Sequence, residues 1–362
     1  MTAPGASPGT NWADVLTALL AGQALTPESA GWAMDQIMSG DASPSQVAGF
    51  LMALRAKGET VAELRAIADV MLEHSHRFGV AEPSIDIVGT GGDRAHTVNI
   101  STMSAIVLAG AGLRVVKHGN RAASSSSGAA DVLESLGVDL TLTPEQVRAV
   151  VDRAGITFCF AQAFHPSMRH AAPTRRELGV ATVFNSLGPL TNPAQPTYAA
   201  VGVADARMAP LIAGVFAGRG RSAVVFRGDD GLDELTIAAP SRLWWVAGGA
   251  ITEHVISPED VGLARSPLES LRGGDPAHNA AVVHVLLGGE PGPVRDAVVL
   301  NAGTAIALAS GAVPDDAVTT AAIHASIRNG VQEAAQTIDS GAAADALHRW
   351  IEATRAVAAN AD

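Results

Sequence analysis

Apolar positions between residues 10 and 78 recur at helical spacing, and helix-start signals separate the apolar runs. Thr26-Pro27 and Ser43-Pro44 each place a capping side chain before a proline at the first helical position. Thr60 and Glu63 form a capping box ahead of a further apolar face. These signals predict a helical N-terminal region whose main role is packing. Its apolar face is also a candidate subunit interface, formed by Ala48, Phe50, Leu51 and Leu54.

After the helical region, short apolar runs alternate with helical segments. Residues 86–88 predict a strand that ends in glycines, residues 103–111 a small apolar helix, and residues 113–116 a second strand. Further strands are expected at 157–161 and 223–226. This alternation predicts an α/β fold with an open parallel sheet, in which polar loops emerge together at the carboxyl ends of neighbouring strands.

The first polar loop is Gly-Thr-Gly-Gly-Asp at 89–93. Glycines after a strand allow an anion to reach backbone amides, and this setting is common for phosphate binding. Asp93 would repel a bare phosphate, so the loop favours a phosphorylated sugar whose hydroxyls or counter-cation share the site. The spacing matches neither the P-loop of nucleotide hydrolases nor the dinucleotide fingerprint. A tight turn without a ligand is the alternative for this loop alone.

Hydroxyl and amide side chains follow at Asn99, Ser101 and Thr102, at the expected start of the next helix. They are candidates for helix capping, phosphate contact or a metal-bound oxygen. Lys117 then opens a second polar loop, and Lys57 is the only other lysine in the chain. With a net charge of −12, a chain that binds an anion must concentrate positive charge locally, so Lys117 is a candidate phosphate contact.

Four carboxylates lie within residues 229–234, directly after the strand at 223–226. Oxygen donors without nearby histidine or cysteine indicate Mg²⁺. Asp229 and Asp230 fit an acidic turn exposed to water, whereas Asp233 and Glu234 lie between apolar residues and are the better ligand candidates.

A basic, proline-flanked segment contains Arg175 and Arg176 and leads into a turn-rich stretch at 184–193. Such a segment in an α/β pattern indicates a crossing between two domains. Either arginine could be a surface charge, or one could hold a substrate carboxylate through a bidentate contact.

Composition excludes several classes of protein. The 362 residues are 48% hydrophobic and 17% charged, which is typical of a well-buried chain with more than one domain. The net charge of −12 argues against nucleic acid as a partner. Neither a membrane-spanning stretch nor a leader pattern is evident, so no membrane partner is expected. Cys159 is the single cysteine, which excludes a disulfide framework and favours a cytoplasmic location.

Taken in order, the motifs resemble those of the anthranilate phosphoribosyltransferase family over nearly the whole chain. The matching motifs are Gly-Thr-Gly-Gly-Asp at 89–93, Asn-x-Ser-Thr at 99–102, Lys-His-Gly-Asn-Arg at 117–121, Ala-Asp-Val-Leu-Glu-x-Leu-Gly at 130–137, His165-Pro166, the stretch 184–193 and Asp233-Glu234. One departure is Ala181, where many members of the family carry arginine.

The resemblance implies phosphoribosyl pyrophosphate (PRPP) and anthranilate as substrates and Mg²⁺ as cofactor. The implied PRPP-binding positions are Gly89, Gly92, Asp93, Thr97, Asn99, Ile100, Ser101, Thr102, Lys117, His118, Gly119, Asn120, Arg121, Ala122, Ala123, Ser124, Ser125 and Ala129. The implied anthranilate-binding positions are Gly89, His118, Asn120, His165, Arg175, Gly188 and Pro189. The implied metal ligands are Ser101, Asp233 and Glu234, and the expected catalytic residues are Lys117, Asn120 and Arg175.

The family fold, of the nucleoside phosphorylase and phosphoribosyltransferase type, implies a small helical domain joined to a larger α/β domain. We expect the helical domain at 1–80 with a returning segment near 166–195, and the PRPP-binding domain at 81–165 and 196–362. A homodimer through the helical domain is implied as well. Two alternatives stay open: a pyrimidine-nucleoside phosphorylase, and a non-enzymatic relative of the same fold.

Overall fold

Capped helices build the N-terminal part of the computed structural model, which describes residues 10–80, 83–121, 126–314 and 318–359. The helices are α1 (Trp12–Leu20), α2 (Pro27–Ser39), α3 (Pro44–Lys57) and α4 (Val61–Glu73). Thr26, Ser43 and Thr60 accept hydrogen bonds from the first turns of α2, α3 and α4. The predicted helix starts are therefore confirmed.

The apolar face proposed as a subunit interface lies inside this helix bundle instead. Phe50, Leu51 and Leu54 are 0% exposed, because α3 packs them against the neighbouring helices and the sheet. That part of the prediction is wrong. Helical periodicity locates an apolar face, but it does not tell whether the same chain or a partner covers it.

Seven strands of the described residues form one mixed sheet. They are β1 (Ile85–Gly89), β2 (Val115–Gly119), β3 (Ile156–Phe160), β4 (Tyr198–Gly202), β5 (Ser222–Gly228), β6 (Ser241–Ala247) and β7 (Ala250–Ile256). Their order is β3-β2-β1-β4-β5-β6-β7, with β1 to β5 parallel and the last two strands antiparallel. The predicted α/β class with a mostly parallel sheet is confirmed.

The remaining helices connect and cover these strands. They are α5 (Ile100–Gly110), α6 (Ala129–Ser135), α7 (Pro144–Ala154), α8 (Ala161–Phe164), α9 (Ala172–Leu178), α10 (Phe184–Leu187), α11 (Met208–Gly218), α12 (Pro276–Leu287), α13 (Pro293–Ala309), α14 (Thr320–Asp339) and α15 (Ala342–Ala359). Within the described ranges, no helix is both long and apolar enough to cross a membrane.

Two apolar clusters cover the opposite faces of the sheet. Successive strand residues point to opposite faces, so Val224 and Phe226 join one cluster while Ala223 and Val225 join the other. The first cluster contains α5, α13, α14 and α15, and the second contains α1 to α4 together with α11. Residues from 171 to 190 also belong to the second cluster. This shared packing supports a returning segment, while the domain limits stay a prediction.

Candidate active site

Parallel pairing brings the predicted polar loops to one edge of the sheet. β1 lies between β2 and β4, and β5 follows β4, so the carboxyl ends of all four strands share an edge. The loop 89–93 leaves β1 there, the loop after Gly119 leaves β2, and the acidic turn 229–236 leaves β5. This edge is the site at which open α/β sheets bind ligands.

The acidic turn separates its four carboxylates into two pairs. Asp229 is exposed and pairs with Arg242, while Asp230 accepts hydrogen bonds from Leu232 N and Thr236 Oγ1 and so shapes the turn. Asp233 and Glu234 are buried. Asp233 Oδ2 accepts a hydrogen bond from Gly91 N at 2.6 Å, which joins the turn to the glycine loop.

Two glycines allow the acidic turn to approach the strands. A Cβ on Gly202 would lie 1.7 Å from the carbonyl oxygen of Asp233, and a Cβ on Gly89 would lie 2.4 Å from its Oδ2. Since real Cβ contacts do not become this short, Gly202 excludes a side chain, and a side chain at Gly89 would require the Asp233 carboxylate to move. Gly89 belongs to the predicted loop, whereas Gly202, at the end of β4, carries no local signal of this role.

Burial shifts the pKa values of the acidic pair upward. It raises the pKa of Asp233 to about 7, and the nearby Asp93 carboxylate adds to the shift. It also raises the pKa of Glu234 well above its ordinary value, with repulsion from Asp233 as the next cause. Glu234 Oε2 has no hydrogen-bond partner among the described residues. The surroundings therefore do not balance the negative charge that the pair carries when both carboxyl groups are ionised.

The donor set fits a hard cation that shares its coordination sphere with a substrate. Among the described residues, no group of three or more His, Cys, Asp and Glu side chains converges on one point. Two carboxylates and the Ser101 hydroxyl would leave half of the octahedral positions around Mg²⁺ for water and phosphate oxygens, and this is how Mg²⁺ is usually held.

Lys117 lies within β2 and not in the loop after it, since β2 continues to Gly119. The side chain is 1% exposed, and Nζ donates to Ile87 O and, at 3.2 Å, to Ser101 Oγ. Burial lowers the pKa of the ammonium. The carboxylates of Asp86, Glu234 and Asp233 oppose that effect. Hydrogen bonds to Ile87 and Ser101 thus hold the Lys117 side chain in one position near the glycine loop.

Asn99 does not cap α5, although it occupies the capping position. Its Oδ1 accepts from Asn279 Nδ2 at 2.8 Å, and its Nδ2 donates to Ser127 O at 3.1 Å. Of the roles considered for Asn99, helix capping is therefore absent, because a partner 180 residues away binds the oxygen. Asn279 is buried on α12 and was missed by sequence reasoning. A buried asparagine in an apolar helix is the only signal it offers.

Residues 93–98 form the rim of the glycine loop. Arg94 and His96 adopt positive φ angles of 61° and 54°, which are uncommon for side chains other than glycine and mark local strain. The segment 271–273 holds this rim, since Val98 N donates to Leu271 O and Gly273 N donates to His96 O. Thr97 forms a bridge with Arg272 in the same segment.

His118 and His165 form a buried imidazole pair with ring centroids 5.2 Å apart. His118 Nδ1 lies 2.9 Å from Gly188 O, which connects β2 to the Gly188-Pro189 turn. Burial lowers the pKa of His118 to about 4 and that of His165 to about 3, so both rings are neutral near pH 7. His118 Nε2 has no hydrogen-bond partner in the described part of the chain. The His165 ring has only weak interactions with the backbone of Thr191 and Met71, since neither nitrogen forms a hydrogen bond of good geometry.

A buried carboxylate missed as a site residue connects these parts. Asp86 accepts from His118 N at 3.2 Å and from Asn192 Nδ2 at 2.8 Å. Asn192 Nδ2 also donates to Val116 O. Burial raises the pKa of Asp86 to about 6, and the Lys117 charge opposes the shift. Asp86 thereby fixes β1, β2 and the 188–193 segment relative to one another.

The arginines of the predicted site lie in different surroundings. Arg175 of α9 is half-buried and stacks over the Phe184 ring at 5.0 Å, and burial lowers its pKa. Arg176 is exposed. Arg121 is engaged outside the site, where its guanidinium binds Asp131 and Glu134 of α6.

The other predicted positions divide between rim and interior. Ile100, Thr102 and Pro189 are buried, and Gly92, Asn120 and Arg121 are exposed at the edge. Asn120 Oδ1 accepts from Arg121 N within its own loop, and Ala129 begins α6. The predicted positions Ala122, Ala123, Ser124 and Ser125 lie outside the described residues.

Comparisons with known proteins find relatives over nearly the whole chain. Residues 81–344 match the model of the glycosyl transferase family a/b domain, and residues 13–75 match its helical bundle domain. The anthranilate phosphoribosyltransferases of Nocardioides sp. and Salinispora arenicola are each 57% identical to the chain. The first match covers 95% of the chain and 98% of the relative, and the second covers 96% and 97%.

Solved structures agree with these matches. Anthranilate phosphoribosyltransferase from Thermus thermophilus is 42% identical with a TM-score of 0.86, covering 94% of this chain and 99% of that one. The Saccharomyces cerevisiae protein in complex with PRPP and Mg is 28% identical with a TM-score of 0.85, covering 95% and 98%.

The low pKa of His165 predicts an acid-sensitive contribution to stability. Unfolding returns this pKa from about 3 to its ordinary 6.5, so at intermediate pH the unfolded chain binds a proton that the native ring excludes. Relative to His165→Gln, the free energy of unfolding of the wild type should fall by on the order of 3 kcal/mol as the pH decreases from 6.5 to 4. Denaturant titrations at several pH values measure the difference.

The same substitution at the exposed His278 serves as the control and should leave the pH dependence close to that of the wild type. Parallel curves for the wild type and His165→Gln would contradict the burial of a neutral imidazole.

Proposed function

The chain belongs to the anthranilate phosphoribosyltransferase family, and we propose that the polar edge of its sheet is the reaction site. The enzyme transfers the phosphoribosyl group of PRPP to the amine of anthranilate, giving N-(5-phosphoribosyl)anthranilate and pyrophosphate in tryptophan biosynthesis. Neither alternative from the sequence is supported, because 57% identical relatives that match 95% of the chain or more carry the transferase name.

The unpartnered Glu234 oxygen beside buried Asp233 is the observation that carries the assignment of the site. We propose that Asp233, Glu234 and the Ser101 hydroxyl hold Mg²⁺, the ion found with PRPP in the Saccharomyces cerevisiae complex. When bound, the ion supplies positive charge to the departing pyrophosphate.

Lys117 and the glycine loop are proposed to bind the phosphates of PRPP. An ammonium group has three donors, and the two hydrogen bonds of Lys117, to Ile87 and Ser101, leave one for a substrate oxygen. Because hydrogen bonds fix the Lys117 amine before substrate arrives, little reorganisation accompanies the reaction, and such a preorganised donor is an effective source of transition-state stabilisation.

Arg175 and the imidazole pair are proposed to hold anthranilate. The guanidinium of Arg175 would bind the carboxylate, while the neutral rings of His118 and His165 face the aromatic amine with Asn120 at the rim. In the reaction, the amine nitrogen bonds to C1 of the ribose, the bond from C1 to the pyrophosphate oxygen breaks, and the nitrogen then loses a proton.

No strong general base is needed in this proposal. Imidazoles whose pKa values are held near 4 and 3 are weak proton acceptors, and the amine acidifies once it is attacked. Catalysis then depends on charge stabilisation and on alignment of the two substrates.

We also propose a homodimer through the helical domain. Leu20 at the end of α1 is 80% exposed and Met52 of α3 is 39% exposed, and these two helices pack side by side. Light scattering in solution reports the stoichiometry, and a monomer at assay concentrations would refute this part. A cytoplasmic location is part of the same proposal, since Cys159 is a buried free thiol.

The loss of anthranilate fluorescence with PRPP and Mg²⁺ tests the proposed site. The double variant Asp233→Asn/Glu234→Gln should lower kcat by about 100-fold or more, since it removes the charge that balances the ion. Asp229→Asn is the matched control from the same turn and should stay near wild-type activity. Equal rates in the double variant and the wild type would refute the metal assignment.

The neighbouring arginines provide a second test. Loss of a charge-assisted contact is worth about 1.5–3 kcal/mol, so Arg175→Gln should raise the KM for anthranilate by about 10- to 100-fold with little change in the KM for PRPP. Arg176→Gln changes an exposed side chain one position away and should change neither constant. Similar effects of both substitutions would indicate a general electrostatic role instead of a carboxylate contact.

A further inference from the structure

Asn301 is a fully buried polar residue in the middle of an apolar helix. It lies in α13, is 0% exposed, and has Leu300 and Ala302 of the first apolar cluster on either side. A buried amide without partners would be destabilising by about 1–3 kcal/mol. Its contacts therefore indicate why an asparagine is present at this position.

The Asn301 amide pairs with both polar groups of one residue. Its Oδ1 accepts from Leu235 N at 3.0 Å, and its Nδ2 donates to Leu235 O at 2.9 Å and to Ala297 O at 2.9 Å. The Asn301 side chain thus pairs with the backbone N–H and C=O of Leu235 as a neighbouring β-strand would. Both of its amide protons and its oxygen are hydrogen-bonded.

Leu235 directly follows Asp233 and Glu234, so this contact fixes the far side of the acidic turn. On the near side, Gly91 N binds Asp233 and the backbone approaches Gly202 closely. The carboxylates of Asp233, Glu234 and Asp93 repel one another, and that repulsion acts to open the turn. The hydrogen bonds from Asn301 of α13 to the backbone of Leu235 oppose this movement.

We propose that Asn301 is a positioning residue, whose amide fixes the Leu235 peptide and so directs Asp233 and Glu234 toward a divalent cation and the diphosphate it accompanies. This inference rests on the proposed function of the acidic pair as metal ligands. Asn301 itself touches neither substrate nor ion.

A neighbouring residue of the same helix separates positioning from simple core stability. Thr304 is also 0% exposed, and its Oγ1 donates only to Leu300 O within α13, at 2.9 Å. Thr304→Val removes a buried hydrogen bond of the same helix without touching the acidic turn. Asn301→Leu removes the contact to Leu235 while keeping the same branched shape, and Asn301→Ala does so while leaving room for water.

The test measures binding of Mn²⁺ with pyrophosphate by electron paramagnetic resonance, which needs no turnover. Removal of a residue that orients metal ligands typically weakens metal affinity by about 10- to 100-fold, and we expect this loss in both Asn301 variants. The Mg²⁺ concentration for half-maximal velocity should rise by a similar factor. Thr304→Val should bind Mn²⁺ as the wild type does, whatever its thermal unfolding midpoint.

Folded Asn301 variants with wild-type Mn²⁺ affinity would overturn the inference. So would failure of both variants to fold while Thr304→Val folds, because Asn301 would then be a residue of core stability. A wild type that is inactive with anthranilate, but whose Mn²⁺ binding weakens in the Asn301 variants, would refute the proposed function and leave the positioning role in place.

Discussion

Lys117 lies near the carboxyl end of β2, where its side chain interacts with the carboxyl groups of Asp86, Asp233 and Glu234. When all three carboxyl groups are ionised, one buried cation does not balance their charge, and such an imbalance is unfavourable unless further positive charge arrives. The surrounding structure holds these ionisable groups close together and buried. In the proposed function, the cation that accompanies PRPP would supply this charge, and the Saccharomyces cerevisiae relative was solved in complex with PRPP and Mg.

The carboxylates hold their positions because backbone geometry and distant amides restrain them. Gly202 lets the Asp233 peptide approach β4, and Asn301 forms hydrogen bonds with the backbone of Leu235 from the opposite side. Asn279 acts in a comparable way on the Asn99 side chain. Polar groups on the covering helices thus act together with hydrogen bonds inside the loops, such as those of Asp230, to hold the loop side chains in place.

Local patterns predicted the features that local chemistry determines. The helix starts at Thr26, Ser43 and Thr60, the alternation of strands and helices, and the order of the motifs could all be read from neighbouring residues. Contacts across long stretches of sequence could not. Leu235 and Asn301 are 66 residues apart, and Asn99 and Asn279 are 180 apart, so only the folded chain reveals either pair. For the same reason, the sequence showed the apolar face of α3 but not that the same chain covers it.

The two lysines have a consequence for covalent chemistry on this protein. Lys57 forms an ion pair with Glu63 inside the helical bundle, and its side chain is 5% exposed. Lys117 is buried under the glycine loop. Acylating reagents reach neither amine until the surrounding structure opens. Modification of Lys57 therefore reports opening of the bundle, and modification of Lys117 reports opening of the site. Immobilisation through lysine side chains would select molecules that have already lost their native structure.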